Sequence, residues 1–222
     1  MVKLFAVLLS ALLAICPIAS ADEDASVTKT ASEDTFISEH ADEAISCADS
    51  EAFYAHYYVV QSTNEEDLSD DQAYATFVLS LTSKLTEPAY DIELDVHLGG
   101  KMSRVFASPI FYSKPIDLYP AGLNTGASSV ECAHDAVLDL SAISSAGGIT
   151  VDDLYDMYIE VSWCEGTELT KHSEIWNMSL TGYQAALDYF DTLPEDDGER
   201  DYALVDEDAV NALNERASAL DT

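Results

Sequence analysis

Basic residues are scarce in this chain: nine lysines and arginines stand against 42 aspartates and glutamates in 222 residues, a formal net charge of −33. A surface of that sign repels phosphate backbones and anionic lipid headgroups, which disfavours nucleic acid and anionic membrane surfaces as partners. Cationic partners and divalent metal ions are the ones that charge admits. Also missing beyond the first 21 residues is any apolar run near the ~20 residues that cross a bilayer as a helix. The sequence holds no G-x-S-x-G, no H-E-x-x-H, no glycine-rich phosphate loop and no C-x-x-C, so no catalytic signature names a reaction.

The N-terminus has a different character. Met1-Val2-Lys3 precedes Leu4 to Ile15, apolar apart from Ser10; Cys16 and Pro17 break the run, and Ala19-Ser20-Ala21 is followed at once by Asp22-Glu23-Asp24. A basic start, a short apolar stretch and an A-x-A site are the order of a secretory signal peptide. Residues 1–21 are therefore expected to be removed, leaving a secreted or cell-surface protein. Residues 22–51 form an acidic leader, read as mostly disordered with nascent helix around Glu39 to Ala44. Together with residues 188–222 this leader holds 22 of the 42 acids, a flank bias that suits solvated spacers.

Between the flanks, apolar residues recur with a period of two. In Tyr90 to Leu98, residues Tyr90, Ile92, Leu94, Val96 and Leu98 share one parity, and Asp91, Glu93, Asp95 and His97 share the other. A helix would spread those charges around its surface, whereas a strand turns them all to one side. Phe53 to Gln61, Ala75 to Thr82, Val105 to Tyr112, Ile116 to Tyr119, Val130 to Leu140, Met157 to Cys164 and Leu169 to Met178 read as further strands. Thr150 with Asp152 and Asp153 caps a short helix to about Tyr155. After Gly182 the period turns helical, first over Ala185 to Phe190 and again over Asp206 to Leu220.

Short strands spaced by roughly ten residues predict an all-β fold. The stretch Phe77 to Leu98, containing LSLTSKLTEPAYDIELDVHL, resembles the paired strands of Ig-like and fibronectin-III-like modules of exported bacterial proteins. The resemblance covers residues 53–180 as a pattern. It implies an Ig-like antiparallel β-sandwich over 52–181, followed by a short acidic helical tail over 182–222. By analogy it also implies a non-enzymatic binding, adhesion or spacer role toward an extracellular protein or glycan. An extracellular hydrolase on a β-sandwich and a calcium-dependent structural domain are the alternatives.

Three cysteines remain after the signal: Cys47, Cys132 and Cys164. An oxidising exterior favours a disulfide. Cys132–Cys164 is the leading pair and Cys47 the rival for either, although Cys132 has inward parity and Cys164 outward. A zinc site would draw on these cysteines with His56, His97 or His134, but no pair has ligand spacing. Calcium would use Asn64, Glu65, Glu66, Asp67, Asp70 and Asp71, or Asp152, Asp153 and Asp156. Tyr54, His56 and Tyr58 share a face that forms an aromatic contact strip if exposed, or the second buried face of a central strand if covered. Sequencing the exported chain from its N-terminus is expected to begin at Asp22, and its far-ultraviolet circular dichroism to be dominated by β-structure.

Overall fold

In the computed structural model the described residues are 35–62, 72–106, 115–122, 125–193 and 201–220. Residues 1–21, expected to be a signal peptide, and the acidic segment Asn64 to Asp71 lie outside them. The strands are β1 (Phe53–Ser62), β2 (Gln72–Ser83), β3 (Ala89–Leu98), β4 (Ile116–Leu118), β5 (Ser129–Asp139), β6 (Met157–Glu165), β7 (Thr170–Asn177) and β8 (Tyr202–Leu204). They form two four-stranded antiparallel sheets, ordered β5-β2-β1-β8 and β4-β3-β6-β7. Helices are α1 (residues 35–40), α2 (Met102–Val105), α3 (Leu140–Ser145), α4 (Gly182–Phe190) and the C-terminal α5 (Glu207–Ala219).

Both sheets bury the apolar parity of their strands in one core. The first contributes Phe53, Tyr57 and Val59 from β1 and Phe77, Leu79 and Leu81 from β2; the second contributes Ile92, Leu94 and Val96 from β3 and Ile159, Val161 and Trp163 from β6. Rings bridge the layers: Phe53 meets Trp163 edge-on at 5.1 Å and Trp176 at 6.3 Å. Such pairs add about 0.5–1.5 kcal/mol beyond the area they bury.

The pattern in β3 carries one correction. Tyr90 does not belong to the dry face; Ala89 is fully buried in its place. The register of β3 against β6 shifts between Tyr90 and Glu93, and Asp91 takes a positive φ of 51°, a conformation that Asp tolerates better than most residues. Its N–H donates to Asp117 Oδ1 on β4 at 3.0 Å. A bulge inserts one residue and so reverses the face of everything before it. Val105 is corrected too: it ends α2 instead of opening a strand, and residues 107–114 lie outside the described ones.

The flanking segments also pack. Ile45 makes a parallel bridge to Trp176 at the edge of β7, and Cys47 is fully buried. At the other end β8 pairs with β1 through Val60 and Leu204, a strand not read in the sequence. Asp206 caps α5 by accepting the Ala209 N–H. The side-chain amide of Asn214 on α5 both accepts from and donates to the Ile149 backbone. Leu94→Ala is expected to lower the unfolding free energy by about 2–5 kcal/mol, while Glu93→Ala on the wet side changes it by no more than about 0.5 kcal/mol; urea titration of both variants checks the inside–outside assignment.

Candidate functional site

The outer face of the second sheet is where charge gathers on a rigid frame. With the inward parity of β3 and β6 occupied by apolar side chains, Glu93, Asp95 and His97 point outward on β3, and Tyr158, Glu160, Ser162 and Cys164 do so on β6. On β4, Asp117 is exposed between Ile116 and the buried Leu118. Asp95 and Glu160 are directly paired across the ladder, so two like charges face each other at a position where opposite charges would be stabilising.

His97 lies two residues along β3 on the same side. Its Nε2 is 3.7 Å from Asp95 Oδ2 and shielded from solvent. Among the described residues, Asp95, His97 and Glu160 are the one group of three histidine, cysteine or carboxylate side chains with ligand atoms all within 4.8 Å of one another. The imidazole is held from the other direction by α1: the Phe36 ring stacks on it at 3.6 Å and 9°, and Phe36 also stacks on His40 at 4.5 Å.

The residues singled out in the sequence are distributed differently. Tyr54 is 60% exposed, with the Lys84 ammonium 4.3 Å from its ring centre. His56 lies under α4, its ring stacked on Tyr189 at 3.8 Å and 4°, and burial lowers its pKa from the ordinary histidine value. Tyr58 is buried against Tyr189 and Phe190 and donates to Glu131 Oε1 at 3.0 Å. The strip is thus largely roofed by a helix, and only Tyr54 presents its ring to solvent.

The cysteine expectation is overturned: Cys47, Cys132 and Cys164 are all thiols, with no disulfide among them. Cys132 points inward from β5 in one sheet, and Cys164 faces away from the core on β6 in the other. Cys47 sits apart, its Sγ 3.1 Å from Thr181 Oγ1 and donating to the Ala55 carbonyl at 3.5 Å. Burial raises the Cys47 thiol and pushes Cys132 up to about 11, with the Glu131 charge adding to the latter. Both are therefore poor nucleophiles at neutral pH. His134 shares the β5 face of Cys132.

The acids near residue 150 serve the local fold. Asp153 accepts from Thr150 N at 2.8 Å and Thr150 Oγ1 at 2.9 Å, while its own N–H donates to Thr150 Oγ1, a reciprocal cap. Its carboxylate also meets Lys101 Nζ at 3.2 Å. Asp152 is exposed. The Asp156 carboxyl lies against the backbone of Gly99 and Gly100, where a Cβ on Gly100 would stand 2.4 Å from Asp156 Oδ2.

Sequence reasoning did not single out Asp95 and Glu160. The pair Asp95-x-His97 on one strand face was visible in the alternation. Glu160 was not, because its place opposite Asp95 depends on which strand pairs with β3 and in what register. The sequence matches no protein-family model and no curated protein.

Asp156 supports a prediction about pH. Burial, and then the Asp153 charge, hold its carboxyl above the ordinary 3.8, so ionisation costs stability as pH rises through the folded value. Asp156→Asn is expected to melt above the wild type at pH 7, with the difference vanishing below about pH 3.8, whereas Asp153→Asn melts lower at pH 7 because the cap and the Lys101 pair weaken. Thermal melts at pH 3 and pH 7 separate the two.

Proposed function

We propose that this chain is an exported, non-enzymatic binding module built on an Ig-like β-sandwich, and that it presents the outer face of its second sheet to a lysine- and arginine-bearing extracellular protein. The fold part rests on strand order. Taking β1, β2 and β5 as strands A, B and E, and β3, β4, β6 and β7 as C, C′, F and G, the sheets become E-B-A and C′-C-F-G. That is the Ig-type distribution of strands without D, with β8 added beyond A. Two departures argue for the wider group of Ig-like modules over antibody-type domains. No disulfide joins B to F, and the tryptophans lie on F and G as Trp163 and Trp176.

The observation that carries the binding role is the row of Asp91, Glu93, Asp95, Asp117 and Glu160 on one sheet, whose strands hold Lys171 as their one lysine or arginine. Glu93, Asp95 and Glu160 stand at paired ladder positions and Asp117 is tied to Asp91 by a hydrogen bond, so a cationic partner meets carboxylates on preorganised backbone and pays little ordering entropy in their supports. Charge of one sign also speeds encounter at low salt.

The probe is an oligolysine peptide titrated calorimetrically into the full chain. Binding is expected to weaken as salt rises. The combined variant Asp91→Asn, Glu93→Gln, Asp117→Asn is expected to lose about tenfold in affinity, or 1.4 kcal/mol. The exposed set Asp42→Asn, Glu43→Gln, Glu51→Gln, which removes the same charge from the segment before β1, is expected to bind as the wild type does. Equal losses in both variants would mean that net charge alone attracts the peptide, and the reading would fall.

A further inference from the structure

The geometry points to a divalent metal site on the outer face of the second sheet, formed by Asp95, His97 and Glu160 and suited to a zinc-like ion. It shares Asp95 and Glu160 with the cationic-partner face but does not rest on that reading. Three observations converge on it. Asp95 and Glu160 are direct cross-strand partners, a juxtaposition of like charges that costs stability unless a cation lies between them. His97 brings an imidazole nitrogen to the same point, with all three ligand atoms within 4.8 Å of one another. The ring supplying that nitrogen is stacked on Phe36 at 3.6 Å, so its orientation is held by packing.

The donor set selects the class of ion. Zinc sits about 2.0–2.2 Å from imidazole nitrogen and carboxylate oxygen, which places tetrahedral donors roughly 3.3–3.6 Å apart by that geometry. The Nε2–Oδ2 separation of 3.7 Å is already close to that value, and small rotations of Asp95 and Glu160 about their side-chain torsions close the rest. One nitrogen with two carboxylates suits Zn²⁺ and its first-row neighbours. Calcium is a poorer match, since it takes about six to eight oxygens and imidazole is not among its usual donors. Three protein ligands leave a fourth position for water. The strands that carry the ligands are paired along most of their length, so the site is largely formed before the ion arrives, and α1 shields one side of it.

The test is calorimetric titration of the full chain with Zn²⁺ in a background of millimolar Mg²⁺, which occupies the general acidic surface, followed by Co²⁺ loading read in the visible spectrum. The expected result is one saturable equivalent and a cobalt band typical of four-coordinate nitrogen–oxygen ligation. His97→Gln and Glu160→Gln are each expected to weaken Zn²⁺ at least tenfold, while Glu51→Gln, an exposed carboxylate before β1, leaves binding unchanged. Far-ultraviolet circular dichroism checks that each variant is folded. If His97→Gln is not, Glu160→Gln decides, because that side chain lies on the wet side of β6 and keeps its shape. Non-saturable uptake, or Zn²⁺ affinity equal to wild type in a folded Glu160→Gln, overturns the site.

Discussion

The antiparallel pairing of β3 with β6 is the constraint on which the rest of the molecule depends. Its register sets Leu94 against Val161 and Val96 against Ile159 on the dry side. Because side chains alternate with a period of two, the same register sets Asp95 against Glu160 on the wet side. A slip of one residue would turn Ile92, Leu94 and Val96 into water and bury Glu93 and Asp95, at a cost of several kcal/mol for each carboxylate left in an apolar interior. The hydrophobic core therefore enforces the acidic cluster.

The bulge at the start of β3 extends this logic. By inserting one residue it sends Ala89 inward and leaves Tyr90 outside, where it meets Tyr119 edge-on at 6.1 Å. A small residue thus enters the core where the strand closes toward the β6–β7 turn, and the bulky ring is kept on the surface. Asp91 accommodates the turn with its positive φ and ties β3 to β4 through the Asp117 carboxylate. The edge strand β4 is three residues long, and this hydrogen bond supplements its short ladder.

The first sheet handles its outer face in a different way. There β1 is nearly apolar on both sides, and α4 lies over it, with Tyr189 and Phe190 against His56 and Tyr58 and Tyr189 in hydrogen-bond contact with Ser80 at 3.1 Å. The two outer faces are therefore unlike: one is covered by an aromatic-bearing helix, the other is charged and carries α1 at His97. Segments before β1 and after β7, rich in acid and read from composition as spacers, place Cys47, Leu204, Val210 and Ala217 in the core. Composition alone misjudged them because a few apolar residues at the right spacing suffice to dock a segment whose remaining surface is charged.

Alternation by itself determined the β class, the location of most strands, the dry and wet parities of β3 from Ile92 to Leu98, and the opposed directions of Cys132 and Cys164. These are local properties: a period of two is written in neighbouring residues and needs no partner to be read. Tertiary structure alone decided strand order, the bulge that reverses Tyr90, the helix that roofs His56 and Tyr58, and the meeting of Glu160 with Asp95 and His97. Each of those depends on contacts between residues distant in the chain, and pairing between strands is chosen by the total burial and hydrogen bonding of the whole sheet, which no single segment encodes.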